Sequence, residues 1–138
     1  MTSTDFLTRL FLAVAVGLCI GFERQWRNKT AGIKTNMLVS TGSAIFVLLS
    51  ILITEEDGDV TRIIAMIVSG VGFLGAGVIF REGANIHGLG SAATIWCSAA
   101  IGSMAGAGFL KEAIFSAVLV VGINIIIEPL DKWLRGRK

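Results

Sequence analysis

The chain has no tyrosine, one proline (Pro129), one histidine (His87), and charge on only 16% of its 138 residues. Soluble domains usually carry about 25% charged residues, so the polar shell of a water-soluble fold is missing. A lone histidine without a paired nucleophile or further ligands makes no catalytic or metal constellation. His87 reads instead as part of a polar break with Arg81, Glu82 and Asn85. The two cysteines, Cys19 and Cys97, have neither CxxC nor Cys/His spacing. Both sit in apolar runs, the setting of inert buried thiols rather than of a zinc or redox site. No enzyme activity, cofactor, metal or nucleic-acid partner is expected from this inventory.

What the chain has is apolar length. Hydrophobic residues make up 54% of it, mean hydropathy is +0.77, and the charges are clumped so that long uncharged runs remain. A helix needs about 20 apolar residues to cross a bilayer core. The runs Thr35 to Thr54, Ile63 to Phe80 and Gly88 to Leu110 meet that length. The run ending at Phe22 meets it if Arg9 snorkels to the interface, and the run Ala113 to Ile127 is short unless Lys111 or Glu112 sits at the boundary. The expected fold is therefore all-α: one membrane domain over residues 1–138, a compact bundle of about five transmembrane helices near 6–22, 35–54, 63–80, 91–107 and 112–127. Four spans plus one interfacial helix is the alternative. No A-x-A site precedes Glu23, so the first apolar segment is expected to remain in the mature protein.

Five spans place the termini on opposite sides. Arg24, Arg27, Lys29, Lys34, Arg81, Lys132, Arg135, Arg137 and Lys138 fall on one side, against Arg9, Arg62 and Lys111 on the other. The basic side faces the cytoplasm, which puts the N-terminus outside and the C-terminus inside. The acidic stretch from Glu55 to Asp59 lacks the ligand spacing of a calcium loop and reads as a solvated turn.

The segment from Ser69 to Gly102 is the most distinctive. Gly70, Gly72, Gly75 and Gly77 crowd an aliphatic run, and small residues let helix backbones approach closely in a membrane. Gly70 to Gly75 spells a GxGxxG, but no strand–helix alternation or downstream acid surrounds it, so dinucleotide binding is not expected. Helix packing is expected through Ser69, Gly70, Gly72, Phe73, Gly75, Gly77 and Gly88, with further small faces at Gly17/Gly21 and Gly102/Gly106. Among polar residues, Asp5 and Arg9 share a helix face and can pair. Glu23 and Arg24 end the first run, either as an interfacial stop or as a buried functional cluster. Asn124, Thr94 and Ser98 are placed to hydrogen-bond neighbouring helices.

Three blocks read together resemble a known family: GFERQWRNKTAGIKTNMLVSTGSAIFVLLS from Gly21, RIIAMIVSGVGFLGAGVIFREG from Arg62 and GLGSAATIWCSAAIG from Gly88. They are similar to the MgtC/SapB family of bacterial inner-membrane proteins, over nearly the whole chain. The resemblance implies a five-helix hydrophobic domain with its N-terminus outside. It also implies a link to growth in low magnesium and to acid or host stress, with a role as a regulator that restrains another membrane protein such as the ATP synthase. By position it carries over Asp5, Arg9, Glu23, Arg24, Gly32, Thr35, Ser69, Gly70, Gly72, Phe73, Gly75, Gly77, Gly88, Thr94 and Trp96. Of these, Asp5, Arg9, Glu23, Arg24, Thr35 and Thr94 form the candidate polar cluster. Two departures stand out. Many members carry Asn or Thr where this chain has Gly90, and longer members continue into a soluble domain, so this sequence is expected to be a short member or an isolated membrane domain. A transporter or channel for a cation or small solute is the second functional expectation, and it would call for an oligomer.

Overall fold

The computed structural model describes residues 1–54 and 59–136, without the side chains of Lys132 and Arg135. Five helices follow in order: α1 (Ser3–Trp26), α2 (Ile33–Thr54), α3 (Val60–Gly77), α4 (Leu89–Ala107) and α5 (Leu110–Arg135). The fold is all-α apart from one small hairpin, and α1, α2, α3 and α5 are each long and apolar enough to cross a membrane.

Local chemistry sets the ends. Thr2 and Asp5 form a reciprocal capping box at the start of α1, which satisfies orphan N–H groups there. Asp5 is thereby tied to Thr2, at 2.7 Å from its hydroxyl, and not to Arg9. Asp59 caps α3 by accepting from the Thr61 hydroxyl and N–H, and the hydroxyl bond above all holds its carboxyl below the usual range. The rest of the expected acidic turn, residues 55–58, lies outside the described residues. α3 stops at Gly77, three residues before the expected end of that span. The polar break is a two-stranded antiparallel hairpin, β1 (Phe80–Glu82) and β2 (Asn85–His87). Its tight turn uses Gly83 at φ 60°, as two-residue hairpin loops require. There the exposed His87 ring stacks on Phe80, 5.2 Å between centroids.

α4 is the central helix: it packs against all four others and buries ten residues, including Ser91, Thr94, Ser98 and Ser103. The tightest contacts are made by α1 and α4 against α2. A Cβ at Gly17 would stand 2.8 Å from Asn36 O, and one at Gly21 2.5 Å from Ile33 Cα. At Gly102 it would collide with the carbonyl of Ser40, and at Gly106 it would stand 2.8 Å from that of Ala44. Around this contact Ala13, Val16, Ile20, Ala44, Ile101, Ala105, Ala113 and Ala117 form a continuous apolar layer.

The glycines of α3 behave differently. A Cβ at buried Gly75 would stand 3.6 Å from that of Ala92, while one at Gly70, Gly72 or Gly77 would have no atom within 4 Å. Ser69 is exposed, and so is Phe73, at 84%. Gly88 serves the backbone rather than a helix face, with φ 87° and the Val78 carbonyl where a side chain would stand. In α3 small residues line an outward face as well as the inward Gly75, so their presence alone does not declare which side turns inward.

Candidate functional site

The C-terminal end of α1, the first turns of α4 and the last turns of α5 meet in a buried charge cluster. Glu23 and Arg24 are 7% and 4% exposed, because the closing turn of α1 is pressed against both other helices. Burial on this scale requires partners. Glu23 Oε2 accepts from Asn124 Nδ2 at 3.2 Å, and Glu23 Oε1 lies 3.3 Å from Arg27 Nε. That second contact has ion-pair distance without hydrogen-bond alignment, so Oε1 accepts no bond. Asn124 also reaches Thr94 Oγ1 at 3.4 Å, and Thr94 donates to the carbonyl of Gly90. Arg24 Nη2 donates to Ser91 Oγ at 2.8 Å, while its buried Nε has no partner.

Arg27 binds α5. Its Nη1 pairs with Glu128 at 2.8 Å and also faces Asn124 O, and its Nη2 donates to Ile125 O at 3.3 Å. Pro129 lies inside α5, and a proline leaves the carbonyl four residues before it without its helical donor. That carbonyl belongs to Ile125, so the guanidinium supplies the missing hydrogen bond. Asn28, at φ 55°, turns the chain after α1, and Lys29 pairs with the same Glu128.

Of the expected polar residues, Glu23, Arg24 and Thr94 meet here. Thr35 is half-buried near the start of α2, and among the described residues it makes no hydrogen bond to the cluster. Asp5 and Arg9 sit at the opposite end, where Arg9 Nη1 donates to Gly106 O at 3.1 Å. Arg27, Lys29, Ser91 and Glu128 were not singled out by sequence. The signals for them were the Glu23–Arg27 spacing of four and an acid directly before Pro129. A neutral site joins α2 to α4 beside them: buried Asn36 accepts from Ser98 Oγ at 2.7 Å and donates to the carbonyls of Ala31 and Gly32. Among the described residues no group of three or more His, Cys, Asp or Glu side chains could hold a metal ion.

The chemistry available is electrostatic. Three cations and two carboxylates are held at one end of the bundle, where they join α1 to α4 and α5, and the buried side chains of Asn36, Ser40, Ser98 and Ser103 carry neutral polar groups on into its middle.

Comparison with known proteins agrees with this architecture. The MgtC family profile matches residues 10–133. The chain is 50% identical to Protein MgtC of Brucella abortus over 122 residues, covering 88% of this chain and 51% of that protein. It is 48% identical to Protein MgtC of Salmonella typhimurium over 128 residues, covering 93% and 54%. An uncharacterized protein of Synechocystis is 46% identical over 134 residues, covering 97% and 57%. The chain thus spans about half the length of these relatives. No solved structure matches it.

Proposed function

Since the chain belongs to the MgtC family, we propose that it is a non-enzymatic regulator of the bacterial inner membrane, acting by helix contact on another membrane protein. Its N-terminus lies outside and its C-terminus in the cytoplasm. Family membership supports the link to growth under magnesium limitation and acid or host stress, and makes the ATP synthase one candidate partner; a second copy of the chain is another.

The observation that carries this reading is the outer face of α3. Ala65, Ser69, Gly72 and Ala76 recur at helical spacing and are all exposed, and nothing lies within 4 Å of a Cβ at Gly72. In a bilayer such a face brings a second helix backbone into close contact. The same sequence could line α3 with leucine at no cost in solvation, since lipid and leucine are equally apolar. Gly72→Leu points into open space, so it should insert and accumulate normally yet fail to restore low-magnesium growth to a strain lacking the protein. Full restoration at equal protein level would remove α3 as the docking face.

The buried Glu23 and Thr94, with the half-buried Asn124, favour the second reading, a cation or solute transporter. The apolar layer between α1, α2, α4 and α5 argues against a path through one copy. Flux into vesicles that depends on the protein and is lost in Glu23→Gln would support transport.

A further inference from the structure

α1 and α4 run antiparallel, so that two arginines of α1 meet the two ends of α4. Arg9 donates to Gly106 O and lies against Gly108. It is a cation at the negative end of the α4 dipole, where cations are favoured. Arg24, fifteen residues further along α1, reaches Ser91, fifteen residues back along α4. Here the dipole is positive, and a second positive charge is disfavoured. One arginine suits its helix end and the other does not.

The carboxylates of Glu23 and Glu128 offset the Arg24 charge from a distance, but the helix end itself supplies no anion. The N-cap of α4 is Gly88, which offers no side-chain cap, so the N–H groups of Leu89, Gly90 and Ser91 keep the orphan status of a first helical turn. Leu89 and Gly90 are exposed, and no atom lies within 4 Å of a Cβ at Gly90. The acids nearby are engaged elsewhere: Glu23 with Arg27 and Asn124, Glu128 with Arg27 and Lys29. Among the described residues, Arg24 is the cluster cation with no carboxylate in ion-pair contact, and its Nε is buried without a partner. Ser91, itself buried, accepts from Arg24 through Oγ and keeps its hydroxyl hydrogen to donate.

We propose that Arg24, Ser91 and the open first turn of α4 bind a phosphate-type oxyanion, either free phosphate or the phosphodiester of an anionic lipid headgroup. Backbone N–H groups at a helix N-terminus and a guanidinium are the two donor sets that suit this chemistry. The site lies at the membrane boundary on the side of the bundle that carries Arg27, Lys29 and the α5 terminus, and it is separate from the α3 face.

The test is thermal unfolding of the full chain in an uncharged detergent, since a ligand that binds only the folded state raises the midpoint. Inorganic phosphate and phosphatidylglycerol are added separately, each against sodium chloride at matched ionic strength. A rise with phosphate identifies a free anion; a rise with phosphatidylglycerol alone identifies the headgroup. Arg24→Gln should weaken binding by about tenfold or more. Should that variant fail to fold, Gly90→Asp serves: it places a carboxylate on the first turn, where there is room, and should raise the midpoint while abolishing the response. No rise beyond chloride with either ligand, or a response unchanged in Gly90→Asp, would overturn the proposal.

Discussion

A methyl group added to Gly102 would meet the backbone of Ser40, while one added to Gly70 would meet nothing within 4 Å. Composition and helix propensity treat the two glycines alike, so the comparison isolates packing. Gly102→Ala should cost about 1–3 kcal/mol by overpacking, or more if α2 cannot shift, whereas Gly70→Ala should be neutral or slightly stabilising through helix propensity. Thermal unfolding of both variants in detergent measures the contrast, and equal midpoints would contradict the α2–α4 contact. Glu23→Gln probes charge at the same scale. The amide can still accept from Asn124, and Arg27 keeps Glu128, so the protein should insert and accumulate. The lost charge should nonetheless abolish low-magnesium growth in a deletion strain; growth at the wild-type rate would reduce Glu23 to an anchor at the membrane boundary.

At the scale of elements, α5 depends on a residue of α1. Pro129 removes a donor from its own helix, and Arg27 replaces it while pairing with Glu128. Arg27→Gln should therefore destabilise the bundle strongly, because it also strips the buried Glu23 of its ion pair. Pro129→Ala restores the N–H that Ile125 O lacks, so the Arg27→Gln cost should shrink in that background. A double-mutant cycle by thermal unfolding should give a coupling of about 0.5–3 kcal/mol; strict additivity would show that the guanidinium does not serve that carbonyl. The helix itself was legible in the apolar run ending at Ile127, but its continuation to Arg135 was not. Proline ordinarily argues for a stop, and only a side chain 98 residues away in sequence reverses that.

For the whole molecule, the all-helical membrane class followed from uncharged runs of spanning length, a property local to each segment. The charge cluster was half legible: Glu23 and Arg24 stood at the boundary of a run, but Arg27 and Lys29 counted only toward the basic side of the chain and Glu128 stood out by nothing, until the α1–α5 contact brought them together. The outward turn of the α3 glycines could not be read at all, because burial in a bilayer leaves no polar face to mark the outside. Arg24 meets the start of α4, and Arg27 and Lys29 meet Glu128 of α5; the orientation of that end across the membrane is a matter for labelling. With Cys19 and Cys97 removed, a cysteine at exposed Arg62 should label from outside the cell and one at exposed Arg81 should not; labelling of both would break the alternating arrangement.

The central claim is that the protein acts by docking a partner on α3. A photo-cross-linking residue at Gly72 places a reactive group on the proposed face, and one at Val118, 66% exposed on α5, reports ordinary contact with the membrane. In membranes from cells grown in low magnesium, the account predicts a discrete adduct of fixed mass from position 72 and none from position 118. Adducts of the same pattern at both positions, or none at position 72, would contradict it.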